Sequence, residues 1–299
     1  VPETGYRVST TTPYTITPTG TATVSQSGNE FTVTPSANCT ITINFEAIPA
    51  PTNLTFSQAA GTVSRGTIIT FTATDADSYS YTLNGGSAVS GNSITLSDIG
   101  VYTIVATATN DGGSINSSAT YTVSATTITL SAQSNLTYSE TFANTFGDFY
   151  VRDVTLANGT TSPWSKQTSN VKASAYVSKT QCYAESWLQS PVFDLSGMGS
   201  ATLTFSHASQ YFEDATTMQS EATLWVREIA NDGTVGTWST LTIDNYPGNS
   251  NASTYVNAAV DLTSYAGKKI QLAYKYLGNT TSAGTWNIKN FAIAGAYNV

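Results

Sequence analysis

The chain of 299 residues carries 11 Lys and Arg against 19 Asp and Glu, a formal charge of -8, and only 10% of its residues are charged. Such an acid excess repels phosphate backbones and anionic headgroups within a Debye length of about 8 to 10 Å, so nucleic acid is not an expected partner. No run approaches the roughly 20 apolar residues of a membrane helix, and a sequence rich in Thr, Ser, β-branched and aromatic residues predicts an all-β chain with a hydroxyl-rich surface.

In residues 1–47, short alternating runs place apolar side chains at every second position, the period of a strand with one buried face. Cys39, Ile41, Ile43 and Phe45 share one such face, and Ser27-Gly28-Asn29 supplies hairpin chemistry. So short a segment buries little surface, and it is expected to lean on its neighbour. The prolines of Ile48-Pro49-Ala50-Pro51 mark a boundary. Residues 48–125 then read as a second set of strands, among them Ile68–Ala73, Tyr79–Leu83 and Tyr102–Ala106, separated by Asn84-Gly85-Gly86 and Asn110-Asp111-Gly112-Gly113. Asp75-Ala76-Asp77 lacks the rest of a calcium loop and reads as a plain turn.

Residues 126–299 change character, since all five Trp and the single His fall there. Ser190-Pro191 is expected to interrupt a strand ladder between Trp187-Leu188 and Val192. Cys39 and Cys182 are distant in sequence and are expected as buried free thiols, too few and too far apart for a zinc site.

Asp98-Ile99-Gly100-Val101-Tyr102 has the form of a tyrosine corner, and with it residues 48–125 resemble the immunoglobulin-like or PKD-like modules of bacterial surface proteins. The C-terminal resemblance is longer. Ser139-Glu140-Thr141-Phe142, Phe146-Gly147-Asp148-Phe149, Glu185–Ser196, Ala201–Ala208 and Gly284-Thr285-Trp286-Asn287-Ile288 are similar, in order, to the choice-of-anchor J and cleaved-adhesin family. That resemblance implies a jelly-roll of two antiparallel sheets, related in shape to carbohydrate-binding modules. The fold expected is therefore tandem small immunoglobulin-like β-sandwich modules (1–47 and 48–125) followed by a jelly-roll β-sandwich (126–299). The resemblance also implies a secreted or bacterial cell-surface protein.

Catalysis is not expected. His207 has no Gly-x-Ser-x-Gly partner and fits a structural role. A glycosidase needs carboxyl groups about 5 to 9.5 Å apart, whereas adjacent Glu213 and Asp214 on a strand would point to opposite faces. No segment reads as a convincing helix. Jelly-roll relatives imply a structural calcium, for which Glu140 holds the first-strand position. Lys289, however, stands where an acid is expected, and it is predicted to pair with Glu140 in the ion's place, so no cofactor is expected.

The expected function is non-catalytic adhesion or interaction, with carbohydrate binding as the alternative, and the expected partner is a glycan or protein on a cell or matrix surface. Candidate ligand-binding rings are Trp225, Tyr211, Tyr274 and Tyr276, because sugar rings stack on exposed aromatics beside polar groups. Trp225 is open between core and platform. Trp164, Trp187 and Trp286 fit core positions, and Trp238 is expected to open a strand and pack inward.

Overall fold

The computed structural model describes residues 2–130, 137–157 and 161–297. The architecture is all-β, with stacked antiparallel sheets as its main elements. Contacts divide the chain into two compact units, Val1–Leu96 with Tyr102–Thr122, and Ser97–Val101 with Val123–Val299.

In the first unit, residues 2–47 form two-stranded ladders, such as Ala22–Ser27 with Glu30–Pro35 around Gly28 at φ 58. Beyond Ile48-Pro49-Ala50-Pro51, a three-stranded sheet of Ser93–Leu96, Thr67–Thr74 and Thr52–Phe56 faces a five-stranded one centred on Ser78–Leu83 and Gly100–Asn110. Phe71 meets Phe56 from its own sheet and Tyr81 from the other, and Ile69, Ile104 and Tyr121 are fully buried.

The second unit is a two-sheet sandwich. Its first sheet runs Thr127–Thr129, Ala184–Asp194, Lys269–Gly278, Ala222–Ile229, Ser239–Leu241, with Tyr150–Leu156 also on Ala184–Asp194. The second runs Trp164–Lys166, Val171–Ser174, Thr285–Tyr297, Met198–Gln210, Val256–Asp261, with Thr137–Glu140 also on Thr285–Tyr297. Alternation builds the core between them. Leu188, Leu224, Leu272 and Tyr274 point in from one side, and Ala173, Leu203, Phe205, Trp286 and Ile288 from the other. Each large apolar side chain buried there contributes about 1.5 to 3 kcal/mol relative to exposure.

Ser190-Pro191 does interrupt the ladder. Pairing with Lys269–Gly278 shifts register between Gln189 and Val192, and the Ser190 hydroxyl accepts from the Leu272 amide at 2.9 Å, so the bulge leaves that donor satisfied.

A helix is present where none was expected. Ala215–Glu221 is a seven-residue helix capped by Asp214, whose carboxylate accepts from the Thr217 amide at 2.7 Å. Asp214 is thus committed to a cap, and Glu213 and Asp214 do not lie on a strand. The thiols of Cys39 and Cys182 are free; Cys182 is buried and Cys39 only half-buried.

Candidate functional site

The outer face of the second sheet carries the most developed hollow. In Val171–Ser174, Val171 and Ala173 face the core, so Lys172 and Ser174 face out. The ladders extend that outward set across the sheet, Ser165 beside Lys172, Lys172 beside Asn287, and Ser174 beside Thr285, which pairs in turn with Gln210. Hydroxyls and amides therefore floor this face, with Lys172 as the one charged side chain among these positions.

Two hollows lie on that floor. One of about 890 Å³ is walled by Thr161–Pro163, by the Tyr176–Gln181 hairpin and by Thr281–Ala283. The other, of about 450 Å³, is walled by Gln167–Asn170 and Ala252–Tyr255. Lys172, Tyr211 and Thr285 line both, so the two hollows adjoin, and together they are termed the groove. Neither hollow is lined by an Asp or Glu among the described residues.

Rings stand along the groove. Tyr176 is 55% exposed and Tyr211 65%. Tyr211 has φ 67, a left-handed conformation that a bulky residue adopts only when its surroundings impose it. Asn249 imposes it, accepting from the Phe212 amide at 3.0 Å and donating to the Phe212 carbonyl at 2.6 Å. Phe212 is buried against Gly284, where a Cβ would lie 2.3 Å from its ring. The buried Phe and its amide clamp thus hold Tyr211 outward. Tyr255 is half-buried, which raises its phenol pKa, and the Lys289 ammonium lies 3.9 Å from its ring centre.

The structure separates the rings proposed from sequence. Tyr211 is in the groove, but Tyr274 and Tyr276 are 1% and 0% exposed and face the core, so neither is available to stack on a ligand. On their strand the outward set is Gln271, Ala273 and Lys275 instead. Tyr276 nevertheless serves the groove. Its hydroxyl accepts from the Ala175 amide at 3.0 Å and donates to the Gly284 carbonyl at 2.6 Å, tying down the roots of both walls. Tyr176, Tyr255 and Lys172 were missed in sequence.

Trp225 lies on the outer face of the other sheet, apart from Tyr211. It is half-buried, with its ring centre 5.3 Å from that of Trp187. Lys275 sits 5.1 Å from the Trp187 ring and 5.4 Å from that of Trp225, and pairs with Glu185 at 3.0 Å. Trp238 is also half-buried, 5.3 Å from Trp187 and beneath the Arg227 guanidinium at 4.4 Å. Arg227 in turn pairs with Asp98 at 2.8 Å. Trp187 is buried, as expected, but within this outer cluster and not between the sheets, and Trp238, which immediately precedes the Ser239–Leu241 strand, packs here too and not inward. The cluster's own cations already occupy its rings. Trp164 and Trp286 do lie in the core.

Lys289 does not pair with Glu140. Asn290, at φ 55, opens a bulge where the ladder to Met198–Gln210 shifts between Thr204 and Ser206. The bulge lets Lys289 face out while Phe291 faces the core. Glu140 instead accepts from the Phe142 amide at 2.6 Å. No group of three or more His, Cys, Asp or Glu able to hold a metal is found among the described residues.

His207 is fully buried, its Nδ1 accepting from the Trp286 indole at 3.1 Å and its Nε2 at 2.7 Å from the Asn245 carbonyl. An indole only donates, so Nδ1 is the bare nitrogen and Nε2 carries the proton. Burial depresses the pKa to about 4. No carboxylate approaches within bonding distance of it among the described residues, which suits a structural ring.

No family model matches the chain, and no curated protein does. Solved structures similar to it include a carbohydrate-binding module of the β-sandwich superfamily, 14% identical at a TM-score of 0.30, covering 82% of this chain and 98% of that one. The K1 cleaved adhesin domain of Lys-gingipain from Porphyromonas gingivalis is 17% identical at a TM-score of 0.32, covering 53% and 98%. The C-terminal family 22 carbohydrate-binding module of Clostridium thermocellum Xyn10B is 14% identical at 0.30, covering 54% and 95%. Similarities of this size carry no argument about what this chain does.

Proposed function

We propose that the chain is a non-catalytic adhesion protein whose C-terminal sandwich binds a glycan chain along the groove of the second sheet. One observation carries the reading: two adjoining hollows floored by hydroxyls and amides, with the exposed rings of Tyr176 and Tyr211 beside them and no carboxylate among the described residues that line them. Aromatic faces take the C–H faces of sugar rings, and the surrounding hydroxyls and amides exchange hydrogen bonds with sugar hydroxyls. Without a carboxyl pair the same groove has no means of protonating a glycosidic oxygen or activating a water. The reading carries with it a secreted or cell-surface setting, where such chains are exposed. It also fits a chain in which no described helix is long and apolar enough to cross a membrane.

The test is a glycan array on the full chain, followed by calorimetry on the strongest ligand with Tyr211→Ala and Tyr176→Ala. Each substitution is expected to weaken binding about tenfold or more, as for an aromatic anchor. Undiminished affinity in both variants would refute the groove.

A further inference from the structure

We infer that the groove selects an acidic glycan, a chain bearing carboxylate or sulfate groups, and that Lys172 meets its anionic group. This inference rests on the groove reading above and names its ligand class.

The argument is one of charge placement. The protein's cations with acidic partners lie away from the groove. Arg7 pairs with Glu46 in the first unit. On the first sheet of the sandwich, Arg152 and Arg227 pair with Asp98, and Lys275 with Glu185, while Lys268 just before that sheet pairs with Glu228. Lys172 differs. Its ammonium has no ion pair or hydrogen bond among the described residues, and its side chain stands on the floor that both hollows share. Lys289, beside Tyr255 at the far end, also has no acidic partner, and Lys179 sits in the turn of the wall hairpin. Glu213 and Asp214 follow Tyr211 closely in sequence, but Asp214 is engaged in the helix cap and neither acid lines the groove.

In a chain of formal charge -8, a groove whose one charged lining residue among those described is a lysine is set apart from the rest. The acids that touch the groove's walls are engaged there, Asp153 accepting from Ser162 at 3.0 Å and Glu221 from Asn279, so the charge that stands on the floor is that of Lys172. Hydroxyls and amides solvate an ammonium but do not neutralise it. A uronate or sulfate carried on a ring that already stacks on Tyr211 supplies the missing partner through a charge-assisted hydrogen bond.

The experiment titrates the full chain with tetragalacturonate, its methyl ester, a sulfated galactan oligomer, a cello-oligosaccharide and polyglutamate. At least one acidic sugar is expected to bind about tenfold or more tighter than the ester and the neutral oligomer, and which one does so distinguishes carboxylate from sulfate. Lys172→Gln is expected to remove that advantage, bringing the acidic sugar to within about twofold of its ester in the same variant, while Lys269→Gln on the other sheet leaves the advantage intact. Equal binding of acidic and neutral sugars, or a preference that survives Lys172→Gln, overturns the inference. If Tyr211→Ala still abolishes binding in that case, the groove reading stands. Polyglutamate binding as tightly as the acidic sugars overturns the inference too, because charge without sugar rings would then suffice. Failure of every sugar to bind, or binding indifferent to both Tyr211→Ala and Tyr176→Ala, removes the groove reading and this inference together.

Discussion

Acid should loosen the C-terminal sandwich through a single side chain. His207 is the chain's one histidine, it is fully buried, and its pKa falls from 6.5 to about 4, chiefly because burial penalises the imidazolium. Protonation would also set a second N–H against the Trp286 indole donor, which lies 3.1 Å from Nδ1. Between pH 6.5 and 4 the unfolded chain therefore binds a proton that the folded chain refuses, and stability must fall as the pH drops through that window. Each pH unit is worth about 1.4 kcal/mol, so the ring removes on the order of 3 kcal/mol of stability by pH 4. Urea unfolding followed by Trp fluorescence reads this unit selectively, because every Trp lies within residues 126–299. The range from pH 6.5 to 5 is the informative one. Carboxylates held below their ordinary values, such as Asp214 and Asp261, contribute acid sensitivity mainly at lower pH. Glu221 acts in the opposite sense, since burial raises its pKa and its contribution is lost as pH rises through the folded value. In His207→Leu the same carboxyls remain, so the difference between the two curves isolates the imidazole. The variant should be less stable at pH 7.5 and nearly flat from 6.5 to 5. A variant curve parallel to that of the wild-type protein would refute the buried neutral ring.

Two tyrosines on one strand should answer the same substitution with opposite signs. Tyr274→Phe removes a buried hydroxyl that has no partner among the described residues and should be neutral or stabilising, whereas Tyr276→Phe unpairs the Ala175 amide and the Gly284 carbonyl and should cost about 1 to 3 kcal/mol in urea unfolding. Gly284→Ala places a methyl against the Phe212 ring and should cost about 1 to 3 kcal/mol in the same assay. Trp225→Ala should lower stability by about 2 to 4 kcal/mol while leaving glycan affinity in calorimetry unchanged, since its ring is already engaged by Trp187 and Lys275.

What the sequence revealed, and what it hid, follows from the difference between parity and direction. Alternation correctly grouped Leu272, Tyr274 and Tyr276 on one face, but a grouping does not say which side that face takes. The direction lay in the complementary set, Gln271 and Lys275, whose polar groups mark the face turned away from the core, although Gln271 is itself covered there. Trp187-Leu188 was harder, because adjacent apolar residues must point oppositely and one of them then needs apolar cover outside the core; Trp225 and Trp238 supply it. Lys289 was misplaced because a bulge resets parity, and Asn290 at φ 55 gives little local warning beyond being an Asn. The groove itself was nearly invisible. Ser165, Lys172, Thr285 and Gln210 become neighbours only through long-range pairing, and its walls come from short loops without a period. The helix escaped notice because its cue is one capping Asp before a polar, Thr-rich segment.

The sandwich presents two outer faces with aromatic and cationic residues on each, yet their readiness to bind a ligand differs for a physical reason. On the first sheet, Arg227 is 4% exposed and holds Asp98 at 2.8 Å, and Lys275 holds Glu185 at 3.0 Å while lying against both Trp187 and Trp225. A ligand arriving there must displace a cation from a partner already desolvated with it, and breaking such a buried pair costs about 3 to 5 kcal/mol before any new contact forms. On the second sheet the Lys172 ammonium has no such partner among the described residues, and Asn249 fixes the backbone that follows Tyr211, whose ring is 65% exposed. A ligand there breaks no existing ion pair of Lys172, so its contacts are offset only by the cost of ordering the side chains that make them. The face with more tryptophan is thus the poorer binding surface, because its rings and charges satisfy one another, and the face with the sparser chemistry is the one left able to bind.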